Sequence, residues 1–446
     1  MSDFFSKHNY ENWGRNIQFT PERYYQISNE SKVIELIRLA NKEQKKIRMV
    51  GTGHSWSELI KTDDFLINMD KFNRVLSLDK EQKTLTVQPG IKLWQVNLFL
   101  AEKGFALKNL GSIAEQSIAG AIATGTHGSG TSLKMLADQL QSFTLIDGNG
   151  TKQIFDRDED AERFQLAVVH LGALGIVTEI CIKIVPAFQL HEQTELLDFD
   201  ILCKNYHEII HSADHVKFWW FPPCSKILVY RYNRTRERPN DSRFRQWFID
   251  EFISVYAYRF MVAIGNLNPN WRPGFNHLIS NYLIRPVNRI EQSFKVFDVP
   301  SPPVHNETEW AFDINDGPEL LSEYRKMLEA KGHKINFLQE IRFVKGDEFA
   351  LSPCYKRDSI WIGAYLIGNK GWPELYSDFE VLAKKYKGRP HWGKEFNCDG
   401  DYLKNAYPKW DAFKSMKDDL DPNHLFENEL IKSLFSGKPK PYKNEI

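Results

Sequence analysis

The pentapeptide Gly51-Thr52-Gly53-His54-Ser55 follows Lys46–Val50, an apolar segment with the composition of a β-strand. Glycine adopts positive φ angles and leaves backbone N–H groups open to a phosphate, because no side chain blocks the approach. A second loop of this kind, Gly120-Ala-Ile-Ala-Thr124-Gly125-Thr126-His127-Gly128, adds two threonine hydroxyls. Taken singly, each loop could be an ordinary tight turn. Together they suit a diphosphate that carries an organic group at each end.

Two common nucleotide-binding patterns are absent from the sequence. Neither loop has the G-x-G-x-x-G spacing that opens a helix, and the chain contains no G-x-x-x-x-G-K-[ST] segment. His54 distinguishes the first loop, since an imidazole fixed beside an isoalloxazine can attack the 8α-methyl carbon and bind it covalently. Such a bond raises the flavin potential and favours oxidation of an alcohol. A histidine that only hydrogen-bonds its own loop is the alternative.

Composition excludes several classes of protein. At 446 residues the chain is longer than one hydrophobic core usually supports, so we expect at least two domains. Lys+Arg and Asp+Glu are balanced at 58 each, which argues against a basic surface for nucleic acid. The five cysteines are dispersed and form no C-x-x-C pair, a pattern typical of reduced thiols rather than of disulfides or a zinc site. We therefore expect no bound metal and no nucleic-acid partner.

The sequence also bears on targeting and membranes. The first residues, MSDFFSKHNYENWGRN, lack an apolar core and a small-residue cleavage site, so we expect no secretion signal. The apolar stretch Phe252–Leu267 contains Arg259 and is too short to cross a bilayer. A core helix is the favoured interpretation of this stretch, and an amphipathic helix with peripheral membrane contact is the alternative. These features predict a soluble, cytoplasmic protein.

The order of elements is that of an α+β fold. Residues 31–44 have helical spacing, and Ser31 is the expected N-cap. Val75–Leu78 and Thr84–Val87 alternate around a polar turn, which predicts a hairpin. Near Pro186 the composition changes to one rich in aromatic and poor in small residues. We therefore predict three segments, residues 1–186, 187–384 and 385–446.

Four short motifs occur in order along the chain: Gly51-Thr-Gly-His54-Ser, Asn109-Leu-Gly111-Ser112-Ile, Ala123-Thr-Gly-Thr-His127-Gly-Ser-Gly130 and His391-Trp-Gly-Lys394. With them, from about residue 15 to about residue 435, the sequence resembles the aldonolactone oxidases of the vanillyl-alcohol-oxidase flavoprotein group, such as gulonolactone and arabinonolactone oxidases. Alditol oxidases are similar too. The resemblance implies a two-domain, PCMH-type FAD-binding fold formed by both chain ends, with an α+β substrate cap between them.

The resemblance also implies a set of cofactor-binding residues. His54 would carry FAD covalently on the loop formed with Gly51, Thr52, Gly53 and Ser55. The pyrophosphate and ring would be surrounded by Ser112, Ser117, Gly120, Thr124, Gly125, Thr126 and His127. Ile176 and Val177 would lie near the adenine, and His391 would contact the flavin. Gly111 would leave space for O₂ to reach the flavin, which favours an oxidase, whereas a plain turn glycine is the alternative.

Glu340-Ile341-Arg342 lies in a strand-like segment, Asn336–Val344, so Glu340 and Arg342 share one face. A carboxylate and a guanidinium on one face can bind a polyol, since one accepts from hydroxyls and the other donates to oxygens. From the residues alone, an exposed ion pair is the alternative. The resemblance implies an E-x-R pair beside the flavin and a lysine, Lys394, that stabilises charge on the reduced ring. Ser112, Glu340, Arg342 and Lys394 are the predicted substrate contacts, and the last three are the predicted catalytic residues.

These expectations combine into one reaction. Hydride would pass from a substrate C–H to flavin N5 while the polar set assists loss of the hydroxyl proton, and O₂ would be reduced to H₂O₂. The favoured substrate is a gulono-, galactono- or arabinono-1,4-lactone oxidised at C2. An open-chain alditol such as xylitol or sorbitol is the alternative. An NADPH-dependent reductase and a flavin-binding protein without turnover would share the fold and stay open.

Overall fold

The computed structural model describes residues 4–6, 8–240, 258–283, 286–298 and 302–436. Within these ranges the strands are β1 (Tyr10–Glu11), β2 (Gln18–Phe19), β3 (Arg23–Gln26), β4 (Ile47–Val50), β5 (Phe65–Asn68), β6 (Val75–Asp79), β7 (Thr84–Val87), β8 (Phe105–Ala106), β9 (Leu140–Ile146), β10 (Lys152–Asp156), β11 (Ile176–Lys183), β12 (Val185–Pro186), β13 (Gln189–Asp198), β14 (His215–Trp220), β15 (Lys226–Thr235), β16 (Asn288–Gln292), β17 (Asn306–Asp313), β18 (Gln339–Val344), β19 (Ser359–Leu366) and β20 (Arg389–Pro390).

The described helices are partly grouped, and several strands follow one another directly, as is typical of an α+β fold. They are α1 (Glu30–Glu43), α2 (Leu93–Glu102), α3 (Ile118–Ala123), α4 (Ala161–Ala167), α5 (Phe199–Lys204), α6 (Tyr206–Ile210), α7 (Tyr258–Leu267), α8 (Arg272–Leu278), α9 (Ser293–Phe297), α10 (Gly317–Ala330), α11 (Trp372–Lys385), α12 (Gly400–Ala406), α13 (Trp410–Leu420) and α14 (Glu429–Ser436).

Two sheets form the amino-terminal module. A parallel sheet has the order β3-β5-β4, and an antiparallel sheet has the order β10-β9-β11-β7-β6, which includes the predicted hairpin. Helix α1 begins at Glu30, one residue before the predicted start. Its N-cap is Asn29, whose side chain accepts from Lys32 N at 2.9 Å, so the prediction of Ser31 as the cap is wrong. Both residue types cap well, and the backbone of Asn29 is extended as a cap requires.

The carboxyl-terminal segment packs into this amino-terminal module. Leu425 and Phe426 are buried in the core that α1 and the parallel sheet share. Ile47 N, at the start of β4, donates to Leu425 O at 2.8 Å. The strand that leads into the first glycine loop is thus supported by residues almost 380 positions away. The end of the chain therefore stabilises the module that its beginning forms. The two predicted borders between the three segments stay predictions.

The largest of the described sheets contains every described strand after Pro186. Its eight antiparallel strands have the order β16-β13-β15-β14-β18-β19-β17-β20. Gly130 N, just after the second glycine loop, donates to Phe343 O of β18 at 2.7 Å. This contact brings a central strand of the large sheet to the amino-terminal module, and the candidate site lies at this junction.

The apolar stretch Phe252–Leu267 is described from residue 258 onward as α7, and its residues 252–257 lie outside the described ranges. Val262 is buried against the core, but Phe260 is 67% and Leu267 is 79% exposed. The expectation of a core helix is therefore wrong for the described part, because only one face of α7 meets the protein. Among the described helices, none combines the length and the apolarity needed to cross a bilayer.

Candidate active site

The first glycine loop, residues 51–55, lies directly against the residue that precedes α3. A Cβ atom on Gly51 would come within 2.0 Å of Ser117 Oγ, so there is no space for a side chain. Gly53 has a φ of +70°, and a Cβ atom on it would lie 2.3 Å from Tyr10 Oη. Gly51 is therefore required for space, and Gly53 for both space and conformation.

The prediction of a second glycine loop over residues 120–128 is wrong for its first four residues, because Ile118–Ala123 form helix α3 and only Thr124 onward is irregular. One cleft joins the first glycine loop, this helix and Thr124 to the beginning of β11. Of the residues expected to hold a cofactor, its lining includes Gly51, Thr52, Gly53, His54, Ser55, Ser117, Gly120, Thr124, Ile176 and Val177. The others expected, Ser112, Gly125, Thr126, His127 and His391, lie outside this lining. Residues from three distant parts of the chain thus meet around one space, as the resemblance implies. Their roles stay predictions.

His54 lines this cleft with its ring stacked on Trp13, at 5.3 Å between ring centroids and 27° between planes. Trp13 is tied to the same loop because its backbone N–H donates to Gly53 O at 3.0 Å. Burial, with the positive charges of Lys394 and Lys92, lowers the pKa of His54 to about 4. The imidazole is therefore neutral at pH 7 and keeps a nitrogen lone pair. Sequence reasoning misses Trp13, since nothing local links it to the loop.

The segment 391–394 packs against the residues that follow the first glycine loop. Trp56 N donates to Gly393 O at 2.7 Å. Lys394 Nζ then lies 4.0 Å from the centre of the Trp56 ring and donates to Glu307 of β17. His305 Nε2 lies 3.4 Å from the same carboxylate. The predicted lysine is therefore held between an aromatic ring and a buried acid.

Glu340 and Arg342 lie on β18, and Ile341 between them is fully buried on the opposite face. Both charged residues are only 8% exposed, so the alternative of an exposed ion pair is wrong. Arg342 Nε lies 3.4 Å from Glu340 Oε2, Nη1 donates to His127 O at 3.0 Å, and Nη2 donates to Glu309 Oε1 at 2.5 Å. The guanidinium thereby connects the large sheet to the second glycine loop.

Glu340 has two further partners on the neighbouring strand β14. Trp219 Nε1 donates to Glu340 Oε1 at 2.9 Å, and Lys217 Nζ lies 3.5 Å from the same oxygen. Burial alone would raise the pKa of Glu340, but Arg342 and then Lys217 outweigh it and hold this pKa below its usual value. Glu340 is therefore a carboxylate at neutral pH and accepts hydrogen bonds.

Among the described residues, the possible ligand atoms of His127, Glu309 and His391 lie within 4.8 Å of one another, which is close enough to suggest a metal site. Two contacts argue against a cation there. Arg342 already donates to Glu309, and a guanidinium repels a second cation at this distance. His391 Nδ1 accepts from Gly393 N at 3.0 Å, so in the neutral ring Nε2 carries the proton and neither nitrogen has a free lone pair. Burial lowers the pKa of His391 to about 3, which keeps the ring neutral.

Sequence reasoning misses Lys217, His305, Glu307 and Glu309, all of which belong to this charged cluster. The spacing Glu307-Thr308-Glu309 in a β-strand places both acids on one face, and this was the available signal. It could not be used alone, because alternating charges on a strand more often mark its solvated face.

Two family models match the chain. The first, described as D-arabinono-1,4-lactone oxidase, matches residues 180–434, and the second, described as an FAD binding domain, matches residues 21–155. The chain belongs to the D-arabinono-1,4-lactone oxidase family. This family member is an FAD-dependent oxidoreductase.

The alignments with individual relatives extend over almost the whole of this chain. It is 33% identical to the L-gulonolactone oxidase of Bos taurus over 432 residues, which are 96% of this chain and 98% of the relative. It is 29% identical to the L-gulono-1,4-lactone dehydrogenase of Mycobacterium tuberculosis over 425 residues, 95% of this chain and 98% of the relative. A cholesterol oxidase structure from B. sterolicum superposes with a TM-score of 0.81 at 16% identity over 97% of each chain, which shows that the fold is shared.

The cleft suits the FAD that the matched domain binds. A Cβ atom fits at neither Gly51 nor Gly53, so only glycine can occupy these two positions. The backbone N–H groups of the loop are therefore not covered by side chains at these positions and can approach a phosphate. Thr52, Ser55, Ser117 and Thr124 add hydroxyl-bearing side chains to the lining. Backbone N–H groups at such a glycine turn and hydroxyl groups beside it can donate hydrogen bonds to a diphosphate. The residues present therefore fit the cofactor.

Proposed function

We propose that this protein oxidises a sugar 1,4-lactone at C2, with FAD as the electron acceptor and O₂ as the final oxidant. The observation that carries the proposal is the buried pair Glu340–Arg342, held against the second glycine loop by the hydrogen bond from Arg342 to His127 O. The two relatives named above, an oxidase and a dehydrogenase of gulonolactone, support the same substrate class.

The E-x-R pair would bind and orient the substrate. Arg342 Nε makes no hydrogen bond to the described residues although it is buried, so its N–H is available to a substrate oxygen. The Glu340 carboxylate accepts from the hydroxyl on the carbon that is oxidised, and Lys394 and Ser112 complete the polar set. FAD, when bound, supplies the two-electron acceptor for this carbon. Burial of the pair excludes water and strengthens both contacts.

The experiment is anaerobic stopped-flow mixing of the flavin-loaded protein with gulono-, galactono- and arabinono-1,4-lactone, xylitol, sorbitol and NADPH. We expect one or more lactones to bleach the flavin absorbance fastest, and O₂ to restore it with formation of H₂O₂. Faster bleaching by an alditol or by NADPH would replace the proposed substrate, and no bleaching by any of them would exclude turnover of this kind.

Gly111 is proposed as the point where O₂ approaches. A Cβ atom there would lie 3.0 Å from Thr126 Cγ2 and 3.3 Å from His127 O, so a methyl group would fill the space beside the second loop. The reoxidation half of the same experiment tests this role: Gly111→Ala should slow recovery of the flavin absorbance without slowing its loss. Unchanged reoxidation would leave Gly111 as a turn residue.

His54 is proposed as the covalent attachment point of FAD. A neutral imidazole, fixed by stacking on Trp13 and lining the cleft, has the lone pair that the attachment requires. We expect acid-precipitated wild-type protein to stay yellow and to fluoresce on a denaturing gel, and His54→Ala to give a colourless pellet. Lys92→Ala, which removes a nearby charge only, should keep the yellow pellet. A colourless wild-type pellet would contradict the covalent link but not FAD binding.

A further inference from the structure

Strand β17 carries two acids that the proposed mechanism has not used. Glu307 and Glu309 alternate with Thr308 and therefore share one face of the strand. Glu307 is 3% and Glu309 is 1% exposed. Two carboxylates this deeply buried and this close in sequence need cationic partners, because an unpaired buried charge is strongly destabilising.

Each acid pairs with a different predicted catalytic cation. Glu309 Oε1 accepts from Arg342 Nη2 at 2.5 Å, and Glu307 Oε2 accepts from Lys394 Nζ. The pairs connect separate parts of the chain, since Arg342 lies on β18 and Lys394 follows β20. Strand β17 thus contacts both cations at once.

The charges of both acids persist at neutral pH. Burial would raise the pKa of Glu309, but Arg342 reverses the effect and holds it well below its usual value. Burial would also raise the pKa of Glu307, but Lys394 outweighs burial and the pKa is lowered. Both contacts are therefore ion pairs, and both acids lie on β17, which pairs with β19 and β20 in the large sheet.

The contact with Glu309 also determines which edge of the arginine is free. Nη2 donates to Glu309 and Nη1 donates to the carbonyl oxygen of His127. Nε faces the Glu340 carboxylate. Loss of the carboxylate of Glu309 would remove the partner of Nη2 and leave the guanidinium held by the hydrogen bond from Nη1 to His127 O and by the ion pair with Glu340. A reacting group displaced by about 1 Å can lose about 100-fold in rate.

We propose that Glu309 and Glu307 are positioning residues, each dedicated to one cation: Glu309 holds Arg342 and Glu307 holds Lys394. This inference rests on the proposed function, because it takes Arg342 and Lys394 as the groups that meet the substrate.

A crossed double-mutant cycle tests the pairing. Limiting rates of flavin reduction by the best lactone are measured for Glu309→Gln, Glu307→Gln, Arg342→Lys and Lys394→Arg, and for the four doubles that combine one acid with one cation. Each acid variant should lower the rate about 10- to 100-fold. When a double variant changes an acid and its own cation, its reduction rate should be scarcely lower than that of the slower single variant. When it changes an acid and the other cation, the two rate losses should multiply to within about twofold.

Glu195→Gln is the matched control, because it removes the partner of Arg231 elsewhere in the same sheet, and it should not change the rate.

Residue-specific labelling gives a second readout that does not depend on turnover. Without substrate, Glu309→Gln should speed phenylglyoxal labelling of Arg342, and Glu307→Gln should speed acetylation of Lys394, each without affecting the other cation. Peptide mass spectrometry measures both rates. If a glutamine variant is recovered without flavin, the aspartate variant, which keeps the charge but shortens the reach, takes its place in both measurements.

Three results would overturn the inference: rates within about twofold of wild type in both acid variants, equal coupling within and across pairs, or unselective labelling. A wild-type protein that no lactone reduces would instead contradict the proposed function, and the labelling would still decide whether each acid holds its own cation.

Discussion

Arg342→Ala is expected to lower the limiting rate of flavin reduction about 100- to 1,000-fold while FAD stays bound. The substitution removes Nε of Arg342, a buried donor that makes no hydrogen bond to the described residues and is proposed to meet the substrate. It removes no residue from the lining of the cleft that fits FAD, so the flavin content should be unchanged. Stopped-flow reduction and the ratio of flavin to protein absorbance measure the two quantities.

The same variant should also be less stable. Glu309 and Glu340 would be left buried without their main cation, and such a loss costs about 3–5 kcal/mol of the free energy of unfolding. In the wild type, both folded-state pKa values are depressed, so both acids stabilise the fold at neutral pH and lose this contribution as the pH falls through those values. In Arg342→Ala these pKa values should rise, and stability should be lost at a higher pH.

Two control variants separate these effects. Arg342→Lys keeps the charge but loses the planar fork, so it should recover much of the stability and little of the rate. Arg231→Ala removes an arginine that pairs with a half-exposed acid, Glu195, and should change neither. Normal reduction by Arg342→Ala with FAD bound would show that the assigned role is wrong.

Gly51→Ala is expected to give protein that binds FAD more than about tenfold more weakly, since each factor of ten corresponds to about 1.4 kcal/mol. The new methyl carbon would lie 2.0 Å from Ser117 Oγ and 2.8 Å from Ser117 Cβ, so the first glycine loop and the N-terminus of α3 must separate. Separation widens the cleft and misplaces the backbone N–H groups of the first glycine loop. Flavin absorbance of the purified protein, before and after incubation with added FAD, measures the loss.

A second substitution tests whether the contact with Ser117 causes the loss of FAD. Ser117→Gly removes both atoms that the methyl group would meet, so Gly51→Ala combined with Ser117→Gly should recover flavin that Gly51→Ala alone has lost. Gly274→Ala is the matched control, because a Cβ atom there would have no neighbour within 4 Å. Full flavin content in Gly51→Ala, or no recovery in the double variant, would contradict the proposed contact between the first glycine loop and α3.

Much of the fold could be predicted from local patterns. The hairpin β6–β7, the strand that leads into the first glycine loop and the alternation around Ile341 were all expected, and the structure confirms them. One error arose where two nearby residues could cap a helix equally well, as with Asn29 and Ser31 at the start of α1. They also arose where burial had to be guessed, as with Phe260 and Leu267 in α7.

The site divides in the same way. Local patterns were enough to predict the first glycine loop and the shared face of Glu340 and Arg342, because backbone conformation and the period of a strand are local properties that a short motif encodes. The second loop was predicted only in part, since its first residues form the end of helix α3. Tertiary structure alone decided that Glu340 and Arg342 are buried, that Trp13 stacks on His54, and that Glu307 and Glu309 each hold one cation. Those features depend on which distant segments meet, and an acid in a strand has the same local pattern whether it faces solvent or a buried guanidinium.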